Sequence, residues 1–244
     1  MRIAKATLVA GIAGLALTAA AHAQSRDFQL EGFDKVDIAT GLDARISLAD
    51  SFSVRAESRS QDALDNLQIA VEDGVLVARI DRTFLDFILS GGLVGMMLNS
   101  GNAATLDITL PALAAASASS GADVQLLAIH GDALRLDASS GAEIALRDAQ
   151  LRQLDANSSS GSDINISGTA ERVRFNASSG SGIDADDLDA REGELQASSG
   201  ANISARLTEM ARAAASSGSD IDIAGNPGQR DVDASSGGDI DFDD

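Results

Sequence analysis

The chain has 244 residues, no Cys, Trp or Tyr, and a formal charge of −19 from 37 acids against 18 Lys and Arg. Such a charge excludes nucleic acid and anionic membrane as partners, since both are polyanions, and the missing Cys excludes a disulfide framework or a lipid-modified amino-terminal Cys. High acidity with few aromatics is also the composition of disordered chains, yet here the apolar residues are often β-branched and recur at strict intervals, which is the pattern of a folded sheet.

The first 23 residues read as an export signal: Arg2 and Lys5, an apolar run from Ala6 to Ala20, then Ala21-His22-Ala23 as a small-x-small cleavage site. The run is too short to span a bilayer, and no later segment reaches about 20 uninterrupted apolar residues. Cleavage after Ala23 removes Arg2 and Lys5 but no acid, taking the charge from −19 to −21. The expected location is periplasmic or secreted to the cell surface of a bacterium.

Residues 28–83 read as strands in "KVDIAT", "LDARISLA", "FSVRAES", "LQIAVED" and "VLVARID", with a turn at Glu72-Asp73-Gly74. The segment "FLDFILSGGLVGMMLN" from Phe84 to Asn99 then concentrates Phe84, Phe87, Ile88, Leu93, Met96 and Met97. It is expected to cap the open end of the fold, which solenoids require. The alternative is an exposed patch for a partner, a membrane surface or a second copy. "ATLDITLPALAAASASSG" leads onward, with Pro111 tolerable at a strand end.

From there the chain repeats. Ser-Ser-Gly recurs with its Gly at 121, 141, 161, 180, 200, 218 and 237, spacings of 20, 20, 19, 20, 18 and 19. Three residues after the Gly stand Val124, Ile144, Ile164, Ile183, Ile203, Ile221 and Ile240; three before it stands Ala118, Ala138, Ala177, Ala197, Ala215 or Ala234. The third copy reads as having two extra residues between Ala156 and its Ser-Ser-Gly. Odd offsets are apolar or small and even offsets mostly polar, a period-two alternation with one face in and one out. A 20-residue unit cannot bury an apolar face alone, but coils stacked at roughly 4.8 Å can. The expected fold is all-β, a single-chain parallel β-helix over 24–244, with irregular coils over 24–110 and seven regular repeats over 111–244. Thr40-Gly41-Leu42-Asp43 echoes the repeat early. Ser-Ser-Gly is the expected bend of each coil, with Gly for the tight turn and the second Ser pointing inward so that stacked hydroxyls bond one another.

With "FDKVDIATGLDARIS", "VEDGVLVARI", "LDITLPAL", "SSGSDINIS" and "SSGSDIDIAGN" in this order after a signal peptide, the chain resembles the putative auto-transporter adhesin, head GIN domain family of bacterial envelope proteins. The resemblance implies a β-helix-like fold and an exported location, and it brings no catalytic or binding residues. The apolar segment at 84–98 is a departure from the family pattern.

Two positions after the Gly, Asp123, Glu143, Asp163, Asp220 and Asp239 form an outward column interrupted by Gly182 and Asn202. Stacked carboxylates about 5 Å apart repel, so a bridging calcium ion would relieve them. The simpler reading is a solvated acidic face that discourages edge pairing, as do Asp239, Asp241, Asp243 and Asp244 at the far end. A polysaccharide-active enzyme is disfavoured: there is no Trp or Tyr to stack on sugars, and the acids follow the repeat instead of clustering. His130, the only His after the signal, reads as a solvated side chain, and no G-x-S-x-G elbow is present. The expected function is therefore non-enzymatic, without a cofactor unless calcium binds. It is an adhesion module meeting a surface, glycan or envelope protein, or alternatively a self-assembling structural protein, with 84–99 as the route to a homo-oligomer.

Overall fold

At every Ser-Ser-Gly the backbone carries two successive residues at positive φ, as in Ser120 (54°) with Gly121 (75°) and Ser179 (59°) with Gly180 (68°). In three of the turns the N–H of the residue after the Gly closes on the carbonyl of the first Ser: Ala122 to Ser119 and Ala142 to Ser139, both 3.3 Å, and Gly238 to Ser235, 2.9 Å. That is the pattern of a type I′ turn, and its second central position favours Gly. The need is conformational, because a β-carbon at Gly121, Gly141 or Gly161 would meet nothing within 4 Å. The second Ser of each pair, from Ser120 to Ser236, is exposed, contrary to the expected inward row of hydroxyls. A left-handed residue breaks the in-out alternation, which is the physical reason the parity count fails there.

The structure, a computed structural model, describes residues 24–59, 61–80 and 104–243. The signal at 1–23 and the apolar segment with Phe84, Phe87, Ile88, Leu93, Met96 and Met97 lie outside the described residues. The strands are β1 (Gln24–Phe28), β2 (Lys35–Ala39), β3 (Asp43–Leu48), β4 (Ser53–Ser58), β5 (Leu67–Glu72), β6 (Val75–Ile80) and β7 (Thr105–Leu110), with a short helix α1 (Gln61–Asp65) after β4. They continue as β8 (Ala115–Ser119), β9 (Asp123–Leu127), β10 (His130–Ser139), β11 (Glu143–Ser159), β12 (Asp163–Ser178), β13 (Gly182–Ser198) and β14 (Asn202–Ser216). The last are β15 (Asp220–Ala224), β16 (Gln229–Ser235) and β17 (Asp239–Asp243).

They form a parallel β-solenoid, as the repeat predicts. On the face before each Ser-Gly corner the strands stack in the order β6, β2, β8, β10, β11, β12, β13, β14, β16. On the face after it they stack as β7, β3, β9, β11, β12, β13, β14, β15, β17. The coil β2–β3 thus lies between β6–β7 and β8–β9, out of chain order. Its Thr40-Gly41 corner stacks on Ser120-Gly121, with Gly41 N donating to Ser120 O at 3.1 Å. Antiparallel β4 pairs with β7, β1 with β4, and β5 with β6, covering this end of the stack.

Four coils also have a second bend seven residues after the Gly, at Ala128 (φ 52°), Asp148 (56°), Gly168 (125°) and Gly225 (93°). Coil-length differences collect near it: the register shifts between Leu146 and Ala149, between Asn165 and Ser167, and between Ala185 and Asp189. The Ser-Gly corner stays in register. There Ala138, Ser158 and Ala177 align, as do Leu136, Ala156 and Phe175. The third copy therefore has no insertion; Ser158 occupies the Ala column. It is buried, and its hydroxyl donates to Ser162 O at 2.8 Å and lies 2.9 Å from Ser162 Oγ.

The apolar columns fill the interior. Val124, Ile144, Ile164, Ile183, Ile203 and Ile221 are at most 2% exposed, and Phe175 is fully buried. As expected, only small residues follow the Gly inward: Ala122, Ala142, Ser162, Ser181, Ala201 and Ser219 are all buried. The hydroxyls of Ser162, Ser181 and Ser219 take the place of the turn's backbone bond, each accepting the N–H three residues earlier at 3.0 Å. Among the described residues no buried side-chain polar atom lacks a partner, which is what lets a serine sit in an otherwise apolar stack.

Candidate functional site

Because the outward side chains keep register, every coil presents the same chemistry at the same place. On the face after the corner, Asp43, Asp123, Glu143, Asp163, Gly182, Asn202, Asp220 and Asp239 stand in one row. This is the acidic column read from the sequence, extended one coil by Asp43. Burial and the adjoining Asp123 carboxylate push the Asp43 pKa up. A second row beside it runs Asn165, Asp184, Ser204, Asp222, Asp241. Burial, then Asp241, Asp243 and Asp220, raise the pKa of Asp222. Between the rows lies an open trough of about 510 Å³ whose floor is at Gly182 and whose walls include Glu143, Asp163, Asp184 and Asp222. Among the described residues no three acidic or imidazole groups gather closely enough to hold a metal ion. We assign no metal to Asp123, Glu143, Asp163, Asp220 or Asp239.

The face before the corner is different. Its first outward row is hydroxyl: Ser119, Ser139, Ser159, Ser178, Ser198, Ser216 and Ser235 are in register. Next comes an amide ladder, Asn157 donating to Asp137 Oδ1 at 2.9 Å and Asn176 donating to Asn157 Oδ1 at 3.0 Å. Together with Gln196 and Ala214 these rows line a trough of about 540 Å³.

Beyond the amides is a row in which charge alternates coil by coil: Arg135, Asp155, Arg174, Glu194, Arg212, Asp231. Arg174 reaches Glu194 at 3.3 Å and Asp155 at 3.8 Å, and Arg212 reaches Asp231 at 3.1 Å. Arg172–Glu192 (3.2 Å) and Arg191–Glu209 (2.7 Å) repeat the device alongside. The sequence reading passed over this row. Its signal lies six residues before each Gly from Gly141 onward, where R, D, R, E, R, D stand in order. His130 is exposed, its Nδ1 3.3 Å from Ala128 O, as the sequence reading expected.

The model of the putative auto-transporter adhesin, head GIN domain family matches residues 32–227. Among solved structures, a putative adhesin from Bacteroides fragilis is similar at TM-score 0.75 and 18% identity, covering 91% of this chain and 97% of that one. A putative adhesin from Parabacteroides merdae is similar at 0.67 and 12%, covering 91% and 96%. A putative lipid binding protein from Parabacteroides distasonis is similar at 0.65 and 17%, covering 91% and 97%. At these identities the likeness shows the fold. No curated protein sequence matches the chain. Among the described residues no helix is long and apolar enough to cross a membrane.

Proposed function

Because the chain belongs to the putative auto-transporter adhesin, head GIN domain family, we propose that it is an exported, non-enzymatic surface-binding module of adhesion type. The observation that carries this reading is the register of the outward rows. Ser side chains repeat at the coil spacing of roughly 4.8 Å over seven coils, with amides beside them in three, which suits a repetitive or extended partner better than a single small substrate. A catalytic constellation would instead break the repeat at one coil. Residues 1–23 serve export in this reading, and the partner is a glycan or an envelope protein at a cell surface.

The test is retention of the purified, labelled chain on whole bacterial cells, envelope extract, a glycan panel and neutral lipid vesicles. Retention on cells or glycans that Asn157→Arg with Asn176→Arg abolishes supports the reading and places contact on the amide face. Retention on vesicles alone would move the assignment to lipid. No retention together with concentration-dependent assembly would move it to a self-assembling structural protein.

A further inference from the structure

Beyond the flat faces, the last described coil has an unpaired edge of unusual composition. Among the described residues β16 pairs only with β14 and β17 only with β15, so each offers a free line of backbone donors and acceptors. All seven residues of β16 are exposed. The inward columns reach this edge as Val232, 49% exposed, and the partly buried Ile240 and Phe242. Apart from Gln229 and Ser235, the outward columns reach it as acid: Asp231 and Asp233 on one strand, Asp239, Asp241 and Asp243 on the other.

We propose that this edge accepts an extended polypeptide segment in which Lys or Arg alternates with apolar residues, added as a further strand. Three observations select that occupant. Strand addition requires period-two side chains, apolar against Val232, Ile240 or Phe242 and polar outward. The outward partners must be cationic, because the charge row ends Arg212–Asp231 and its alternation calls for a cation next. The open mouth already holds a guanidinium: Arg230, in the inward column of Leu134, Leu154, Val173 and Ala211, lies 4.1 Å over the Phe242 ring. A second copy of this edge is excluded as occupant, since five Asp would face five Asp.

The experiment is fluorescence anisotropy of the purified chain with a labelled peptide of roughly nine residues alternating Arg and Val, its Glu–Val counterpart, and a Pro-interrupted peptide of equal positive charge. The alternating Arg peptide is expected to bind saturably at one site and the other two at least about tenfold more weakly. Asp231→Lys with Asp233→Lys should weaken binding by about tenfold or more, while Asp163→Asn with Asp184→Asn, in the acidic trough away from the edge, should leave it unchanged. Circular dichroism of both variants checks that they fold. Equal binding of the Pro-interrupted peptide, equal loss from the trough variant, or no binding at all overturns the proposal, as does dimerisation that the edge variant abolishes. None of these readouts depends on the surface-binding test above.

Discussion

Asp163 lays its carboxylate across Gly182 of the next coil, so that a β-carbon there would stand 2.8 Å from Asp163 Oδ1. The obstacle is the free end of a flexible side chain on an open surface, so Gly182→Ala is expected to cost less than about 1 kcal/mol. Gly168 is the counterexample. Its φ is +125° and a β-carbon would lie 2.3–2.4 Å from the backbone of Ala149, so Gly168→Ala should cost about 3 kcal/mol or more. Urea denaturation of the two variants decides; similar costs would mean that the second bend tolerates more rearrangement than its packing implies.

The alternating row makes a prediction about sign. Glu194 lies between Arg174 and Arg212 in register, so Glu194→Arg places three cations in succession where Glu194→Gln only removes an attraction. Both arginines are exposed and Glu194 is half-buried, so the neutral change should cost about 0.5 kcal/mol and the reversal about 1–2 kcal/mol in low salt. Thermal unfolding with added salt should narrow the gap, as screening predicts. A gap that salt does not change would show that the row acts through packing of its stems instead of charge.

Acid affects the crowded carboxylates and the ion-paired ones oppositely. Burial, followed by neighbouring carboxylates, raises the pKa of Asp43 and Asp222. Their folded forms hold a proton more tightly than the unfolded chain, so they oppose folding at neutral pH and cease to do so as the pH falls through their folded values. Asp222→Asn should therefore raise the melting temperature at pH ~7, with the gain gone near pH ~4. Asp27 runs the other way: its bond to Arg55 at 2.7 Å lowers its pKa, so its contribution is present above the ordinary Asp range and lost as the pH falls through the lowered value. Melting curves of Asp222→Asn and Asp27→Asn across this range should diverge in opposite senses.

Among the described residues the acidic column offers no group of three ligands for a divalent ion. Unfolding in millimolar calcium is expected to match unfolding in a chelator at equal ionic strength, within about 2 °C. A clear rise with calcium that Asp163→Asn removes would restore the cation-ladder reading of the acidic column.

The solenoid, the inward columns and the acidic row are legible in the residues alone, because a side-chain period of two and a coil period near 20 are local properties that each repeat carries in full. So is the Ser-Gly bend, though not the direction of its Ser: Ser120 and its counterparts point to solvent because their left-handed backbone resets the alternation. Which coil lies on which emerges only from the folded stack. Placing β2–β3 between β6–β7 and β8–β9 depends on pairing between distant strands, and nothing in "VDIAT" distinguishes its two neighbours. The second bend was hidden for a related reason, since Ala128, Asp148, Gly168 and Gly225 share a positive φ and no side-chain chemistry. Ser158 looked like an insertion in the linear repeat and is a core residue in the stack, where Ser162 meets its hydroxyl and makes a polar group tolerable inside.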